Sequence, residues 1–312
     1  MFDSYWPWIA FNGFVLLMLA LDLGVFNKKD HVIGVKEALG WSALWISLAL
    51  VFNVGIYFMM GTQPATEFLT GYLIEKSLSI DNIFVIAMIF SALGIPALYQ
   101  HRVLFWGILG ALVMRAIFIF AGVALIEKFH WMIYVFGALL VFTGIKMAIP
   151  KLETDFDAEK SLAMRALRKV MPVSPKLDGN NFFTVQNGKR YATPLFAALL
   201  LVETTDLIFA VDSIPAILAI TKDPFIVYTS NVFAILGLRS LYFAVAGVAS
   251  MFRFIQFGLA AVLVFVGAKM LLVDVYKIPA FTSLTVVAVL IAASMIASKL
   301  FPAKEAKSSD QP

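Results

Sequence analysis

The 312-residue sequence contains no cysteine. Disulfide scaffolds, thiolate metal centres and cysteine nucleophiles are therefore excluded. Histidine is scarce: His31, His101 and His130 are the only three, and none lies deep in an apolar run. Asp, Glu, Lys and Arg make up 14% of the chain, against about 25% in soluble domains. No G-x-x-x-x-G-K-[ST] segment is present, so nucleotide-driven pumping by this chain alone is not expected. What fills the sequence is apolar: 61% hydrophobic residues and a mean hydropathy of +0.90, where soluble chains run at about 45–50%. Only lipid accommodates that much apolar surface. The formal charge of +4 points to loop topology, described next, and not to nucleic acid.

A membrane-spanning helix needs about 20 apolar residues. Nine stretches qualify: 6–26, 39–60, 67–93, 104–126, 131–149, 194–220, 226–248, 254–274 and 280–300. The expected fold is all-α and polytopic. The first stretch lacks the basic leader and small-residue cleavage site of a signal peptide. With the N-terminus outside, one side collects sixteen Lys and Arg and the other three. The positive-inside rule then places the N-terminus outside and the C-terminus in the cytoplasm. The connection at 150–193 holds eight basic residues. Its residues 157–170 place Leu162, Ala166, Leu167 and Val170 at helical spacing, as on an amphipathic surface helix. Asn187-Gly188 between two β-prone runs is a hairpin signal. The segment reads chiefly as a linker with minor local structure, and its basic residues offer a surface to a protein partner.

Two stretches repeat in order. Asp81-Asn82-Ile83-Phe84 matches Asp206-Leu207-Ile208-Phe209, and Arg115 matches Arg239. Ala121-Gly122-Val123-Ala124 matches Ala246-Gly247-Val248-Ala249. Val141 to Met147 (VFTGIKM) matches Val264 to Met270 (VFVGAKM). Each unit spans three helices, and an odd number inserts the second copy upside down, an architecture common in secondary transporters. The chain then divides into two leading spans (1–62), a first three-helix unit (63–149), the connection (150–193), a second unit (194–275), and a last span with its tail (276–312).

The third span carries Glu75, Lys76, Asp81 and Asn82; the sixth carries Glu203, Asp206, Asp212, Ser213 and Pro215. Each acid costs about 2.5–3.5 kcal/mol at a helix centre on insertion scales. All five must face a protein interior or a hydrated cavity. Glu203 and Asp206 share a helix face, as do Glu75, Ser79 and Asn82. Glu75 and Asp81, like Asp206 and Asp212, are six residues apart and do not converge on a straight helix. Pro215 removes the bond to the Val211 carbonyl, so an interruption of the sixth span near Asp212–Pro215 is expected. The donors are carboxylate, amide, hydroxyl and carbonyl oxygens. Such sites suit Mg²⁺, Ca²⁺ and Mn²⁺ rather than Zn²⁺ or Cu⁺. Lys76, Arg115 and Arg239 balance charge, leaving two net negative charges for one divalent cation. Arg115, Arg239, Lys146 and Lys269 equally fit structural pairing or snorkelling. Asp22 and Asn53 read as helix–helix hydrogen bonds.

Three segments, EKSLSIDN at 75–82, ETTDLIFAVDSIPA at 203–216 and SNVFAILGLRSLYF at 230–243, resemble the signatures of the TerC family, in particular its alkaline-pH-inducible Alx-type members. The resemblance runs from about residue 10 to residue 300. It implies a bacterial inner-membrane protein that exports manganese, with a link to tellurite resistance. It also implies a metal route lined by Glu75, Asp81, Asn82, Glu203, Asp206, Asp212 and Ser213. The ion Mn²⁺, as substrate, rests on this resemblance; the residues alone leave Ca²⁺ and Mg²⁺ open, and no organic cofactor is implied.

Three functions follow. The first is cation export, with proton exchange suited to carboxylates that release metal on protonation. The second is a membrane scaffold that delivers metal or organises a resistance complex, docking through 150–193. The third is an intramembrane aspartyl protease using Asp81 and Asp206, which the crowding of further acids disfavours. A carboxylate site predicts tighter metal binding as pH rises from mildly acid to alkaline. Calorimetric titration of the purified protein with Mn²⁺ checks this, and a flat affinity would count against the site.

Overall fold

A chain in lipid must bond its own backbone, which restricts its spans to helices or closed barrels, and apolar runs of about 20 residues suit helices. The computed structural model describes residues 5–21, 33–149, 161–186, 188–245 and 254–300; the side chains of Leu21 and Asp81 lie outside that description. Also outside it fall Asp22, His31, residues 157–160, Asn187, the repeat motif at 246–249 and the tail. The helices are α1 (Trp6–Leu21), α2 (Val35–Met60), α3 (Thr62–Ala92), α4 (Ala97–Lys128), α5 (Met132–Ala148), α6 (Leu162–Val170), α7 (Pro194–Leu218), α8 (Pro224–Leu236), α9 (Leu238–Val245), α10 (Ile255–Leu271) and α11 (Ala280–Leu300). One hairpin, β1 (Phe183–Gln186) and β2 (Lys189–Ala192), precedes α7. The all-α membrane architecture expected from the sequence is present. Among the described residues five helical segments are long and apolar enough to cross a membrane: α2, α4, α7, α8 with α9, and α11. Three shorter apolar helices correspond to α1, α5 and α10. The 31-residue α3 carries Glu75, Lys76, Asp81 and Asn82.

Local chemistry sets the helix boundaries. Gly61, at φ +95°, turns the chain from α2 straight into α3, a conformation that favours glycine. Asp223 caps α8 by accepting from the Phe225 and Ile226 amides at 2.9 and 3.3 Å, with Pro224 at the first helical position. The expected interruption near Pro215 is absent. α7 runs continuously to Leu218, and Pro215 sits in its last turn, where the lost Val211 bond ends the helix instead of opening it. The break falls one span later, at Gly237 between α8 and α9.

An aromatic cluster joins α1, α2, α3 and α8: Phe52 lies 5.0 Å from Phe233 and 5.5 Å from Phe68, ring centre to ring centre. The Tyr228 hydroxyl donates to Asn12 Oδ1 at 2.7 Å, tying α8 to α1. Asn53 Oδ1 finds no hydrogen-bond partner among the described residues, so Asn12 makes the helix–helix bond that was expected of Asn53.

The segment before α7 is a folded cap rather than a linker. β1 and β2 pair antiparallel, with Gln186 opposite Lys189, as the Asn-Gly signal predicts. Ser161 caps α6 through the Met164 amide at 3.1 Å. The buried face of α6 is Met164 and Leu167; Leu162 and Val170 are 77% and 85% exposed. The α7 surface, not the strongest apolar periodicity, selects that face. The Phe183 ring lies 4.6 Å from Phe196, and the Arg102 guanidinium lies over Phe182.

α5 and α10 pack at backbone distance. A Cβ added to Gly267 would lie 2.7 Å from the Gly137 carbonyl oxygen, and one added to Gly144 would lie 2.8 Å from the Ala260 carbonyl oxygen. The offset that aligns Val141–Met147 with Val264–Met270 pairs Gly137 with Ala260 and Gly144 with Gly267. Exchanging the two units therefore converts one contact into the other. α3 packs on α8 and α7 on α4, the two pairs that the sequence correspondence of the units would exchange.

At the end of the bundle where α4 turns into α5, Asp274 accepts from the Tyr134 hydroxyl at 2.5 Å and meets His130 Nε2 at 3.1 Å. The Tyr134 hydrogen bond, followed by His130, holds the Asp274 carboxyl below its ordinary range.

Gly267→Leu is expected to destabilise the bundle by about 1–3 kcal/mol or more through overpacking. Gly13→Ala, where nothing lies within 4 Å of the added methyl, is expected to cause no loss. Melting temperatures in detergent compare the two.

Candidate cation site around a buried arginine

Four helices meet at Arg115. α4 supplies the arginine, α3 supplies Glu75 and Asn82, α7 supplies Asp206 and Ser213, and α8 supplies Asn231. Arg115 is 2% exposed and Glu75 1%. Asp206 takes the guanidinium edge-on: Nε donates to Oδ2 at 3.2 Å and Nη2 to Oδ1 at 2.9 Å. This is the bidentate geometry that the planar guanidinium favours. Nη1 donates to Glu75 Oε1, to Ser213 Oγ at 3.3 Å and to Asn231 Oδ1 at 3.4 Å. The Asn231 amide donates back to Glu75 Oε2 at 3.1 Å. The Asn82 amide reaches Asp206 Oδ1 at 3.5 Å, while its own Oδ1 has no hydrogen-bond partner among the described residues.

Helical spacing accounts for the convergence. Glu75 and Asn82 are seven apart, as are Asp206 and Ser213, so each pair occupies one face two turns long. Ser79 lies between the first pair, but its hydroxyl bonds back to the Glu75 carbonyl at 2.8 Å. Glu203 and Asp206 both face α4, as their three-residue spacing requires. Asp206 meets Arg115, whereas Glu203 lies against Gly110, where any Cβ would collide with its carboxylate. Glu203 Oε2 has no hydrogen-bond partner among the described residues.

Two small cavities flank the polar cluster. One of about 40 Å³ is lined by Glu75, Asn82, Arg115, Phe209, Asp212 and Ser213 among others. The second, about 20 Å³, is lined by Asn82, Thr205, Asp206, Phe209 and Arg239 among others. Asn82 and Phe209 border both. Each cavity exceeds the roughly 10–15 Å³ that one water requires. Asp212 does not touch Arg115 directly. Its Oδ1 accepts from the Thr143 hydroxyl at 3.0 Å, tying α7 to α5.

Of the charge-balancing residues, Arg115 sits among the acids and Arg239 borders the smaller cavity. Lys76 is turned away: its Nζ approaches the Ala234 carbonyl at 3.4 Å, at the C-terminus of α8. A Cβ on Gly237 would lie 2.5 Å from that nitrogen, so the glycine makes room for a lysine that caps a helix end. Lys269 donates to Ser283 at 2.9 Å. Among the described residues no three of Asp, Glu and His stand ready as a metal cage; a guanidinium takes the central place. Asn231 is the residue that sequence reasoning missed. An amide inside an apolar run is the signal that singled out Asn82, and it is present at Asn231 as well.

Removing one partner of a buried ion pair strands the other, at a cost of about 3–5 kcal/mol. Glu75→Gln is therefore expected to destabilise the protein by that order. Asp212→Asn, at a half-buried group held by one hydroxyl, should cost about 1 kcal/mol. Thermal melts of the two variants beside the wild type test the ranking.

The family model described as "Integral membrane protein TerC family" matches residues 60–306. The chain is 58% identical over 303 residues to "Uncharacterized membrane protein STKORF319" of Myxococcus xanthus, covering 97% of this chain and 94% of that protein. It is 49% identical over 289 residues to "Putative membrane-bound redox modulator Alx" of Escherichia coli (strain K12), covering 90% of each. It is 45% identical over 291 residues to an "Uncharacterized membrane protein" of Rickettsia bellii, covering 93% of this chain and 96% of the other. No solved structure matches. With the intramembrane acids gathered on helices that lie within the matched region, the chain belongs to the TerC family of integral membrane proteins.

Proposed function

We propose that this chain exports a hard divalent cation, Mn²⁺ foremost, across the bacterial inner membrane through the oxygen donors gathered at Arg115. The observation that carries the reading is the meeting of Glu75 from the first three-helix unit with Asp206 from the second on one internal cation, with Ser213 and Asn231 adding neutral oxygens. Hard cations take such all-oxygen sets. Carboxylates that bind metal or protons support exchange of one for the other. Glu203, Asp212 and Asp81 extend the acidic route in this reading, and Ca²⁺ and Mg²⁺ are the natural competitors. The exchangeable contacts of α5 with α10, and of the pairs α3–α8 and α7–α4, support an inverted repeat with the site at its interface. The excess of basic residues on one side supports an N-terminus outside and a C-terminus in the cytoplasm.

The name of the Escherichia coli relative speaks of redox modulation. Thiol chemistry is closed to a chain without cysteine, so an effect on redox balance would run through something it binds or moves. The protease reading is disfavoured by the engagement of both Asp206 oxygens with Arg115, which leaves no free carboxylate for a water-sharing dyad. The scaffold reading draws on the exposed Arg165, Arg168 and Lys169 of α6.

Manganese flux into sealed vesicles containing the purified protein tests the proposal, with Asp81→Asn and Asp212→Asn beside the wild type and Ca²⁺ and Mg²⁺ as competitors. Saturable wild-type flux, lost in both variants, is expected. Absence of flux in folded wild-type protein would overturn transport and favour the scaffold.

A further inference from the structure

The Arg115 side chain occupies the place that a transported cation would need. Its N–H groups engage five oxygens: both of Asp206, one of Glu75, the Ser213 hydroxyl and the Asn231 amide oxygen. These are the donor types a hard divalent cation takes up. A sixth, Asn82 Oδ1, is buried beside them with no hydrogen-bond partner among the described residues. An arginine needs no oxygen beyond those it already holds. Six-fold coordination of a metal does.

The guanidinium and a divalent cation cannot share these atoms. At ion-pair distances inside a bundle their repulsion is weakly screened, and each would take the carboxylate lone pairs that the other needs. Metal entry therefore requires Arg115 to leave, and the molecule holds a place for it. The 40 Å³ cavity touching Arg115 is also lined by Asp212. That carboxylate has one oxygen on Thr143 and does not touch Arg115 directly. A swing of the arginine side chain toward it exchanges one anionic partner for another without carrying an unpaired charge through the apolar interior.

Resting on the export reading above, we propose that Arg115 is a tethered competitor of the transported cation. Metal and guanidinium occupy the Glu75–Asp206 oxygens in turn, and Asp212 receives the arginine while metal is bound. The empty transporter then keeps one positive charge between its two central carboxylates, and return of the arginine expels the ion. The site would release its cargo without ever leaving the two carboxylates with no cation between them.

The test is equilibrium Mn²⁺ binding by calorimetry on the purified full-length protein in detergent, with melting temperatures recorded with and without Mn²⁺. Arg115→Gln is expected to bind Mn²⁺ at least tenfold tighter than wild type. Its metal-free melting temperature should be lower, and Mn²⁺ should raise that temperature by more than it raises the wild type's. Vesicle flux in this variant should slow, because nothing displaces the ion. Asp212→Asn should weaken binding, because the displaced arginine loses its receiving partner. If Arg115→Gln does not fold, Arg115→Lys serves, since its ammonium engages fewer oxygens and should bind Mn²⁺ several-fold tighter than wild type. Wild-type binding with equal or weaker binding in the arginine variants would overturn the competitor role and leave the export reading standing. Absence of Mn²⁺ binding in wild type and variants alike would overturn both.

Discussion

A guanidinium with two carboxylates, sealed from water inside a membrane bundle, is the constraint on which the rest of this molecule depends. Each charge alone would cost several kcal/mol after relaxation, so none of the three can be buried without the others. Glu75, Arg115 and Asp206 stand on α3, α4 and α7, and Asn231 brings in α8. Helix packing in lipid has little hydrophobic driving force of its own. The polar cluster supplies specificity that apolar surfaces alone would not. It fixes the rotation of four helices about their axes, because a turn of 100° would strand a charge on α3, α4 or α7 and the Asn231 amide on α8.

The surroundings of the cluster follow from that requirement. Small residues let the polar groups in: Gly110 admits Glu203 against α4, and Gly237 admits Lys76 against the end of α8. The break between α8 and α9 gives Lys76 a helix C-terminus in place of a carboxylate partner. Two lysine-sized problems are thus solved differently within one bundle, since Lys269 relies on the Ser283 hydroxyl.

Much of this was legible in the residues. The helical class followed from apolar runs, and the intramembrane acids were conspicuous because they are costly in lipid. The pairing of Glu75 with Asn82 on one face followed from the helical period, and the hairpin from Asn187-Gly188. What the chain could not reveal by period is which faces meet across helices. Arg115 emerges as the centre of the acids, and Lys76 turns away from them, only once α3, α4 and α8 are placed together. Asn231 was passed over because it stood alone in its run, with no acid nearby in sequence. Pro215 misled because its effect depends on where the helix ends. Three residues from a terminus, a proline removes a bond in a turn that is already finishing. The α6 face misled for a related reason: of the four residues at good apolar spacing only Leu167 is buried, beside Met164, on the face that α7 could reach.

The glycine crossing of α5 and α10 carries a mechanical consequence. Backbone meets backbone at two points, seven residues or about 10 Å apart along each axis. A single point of contact is a hinge, about which two rods can scissor. Two points make a strut that resists both scissoring and sliding. Whatever rocking the bundle undergoes must carry α5 and α10 as one beam, with the other helices tilting around it. Through the Thr143 hydroxyl that beam is hydrogen-bonded to Asp212 on α7, so the acid at the edge of the central cavity is tied to the paired helices.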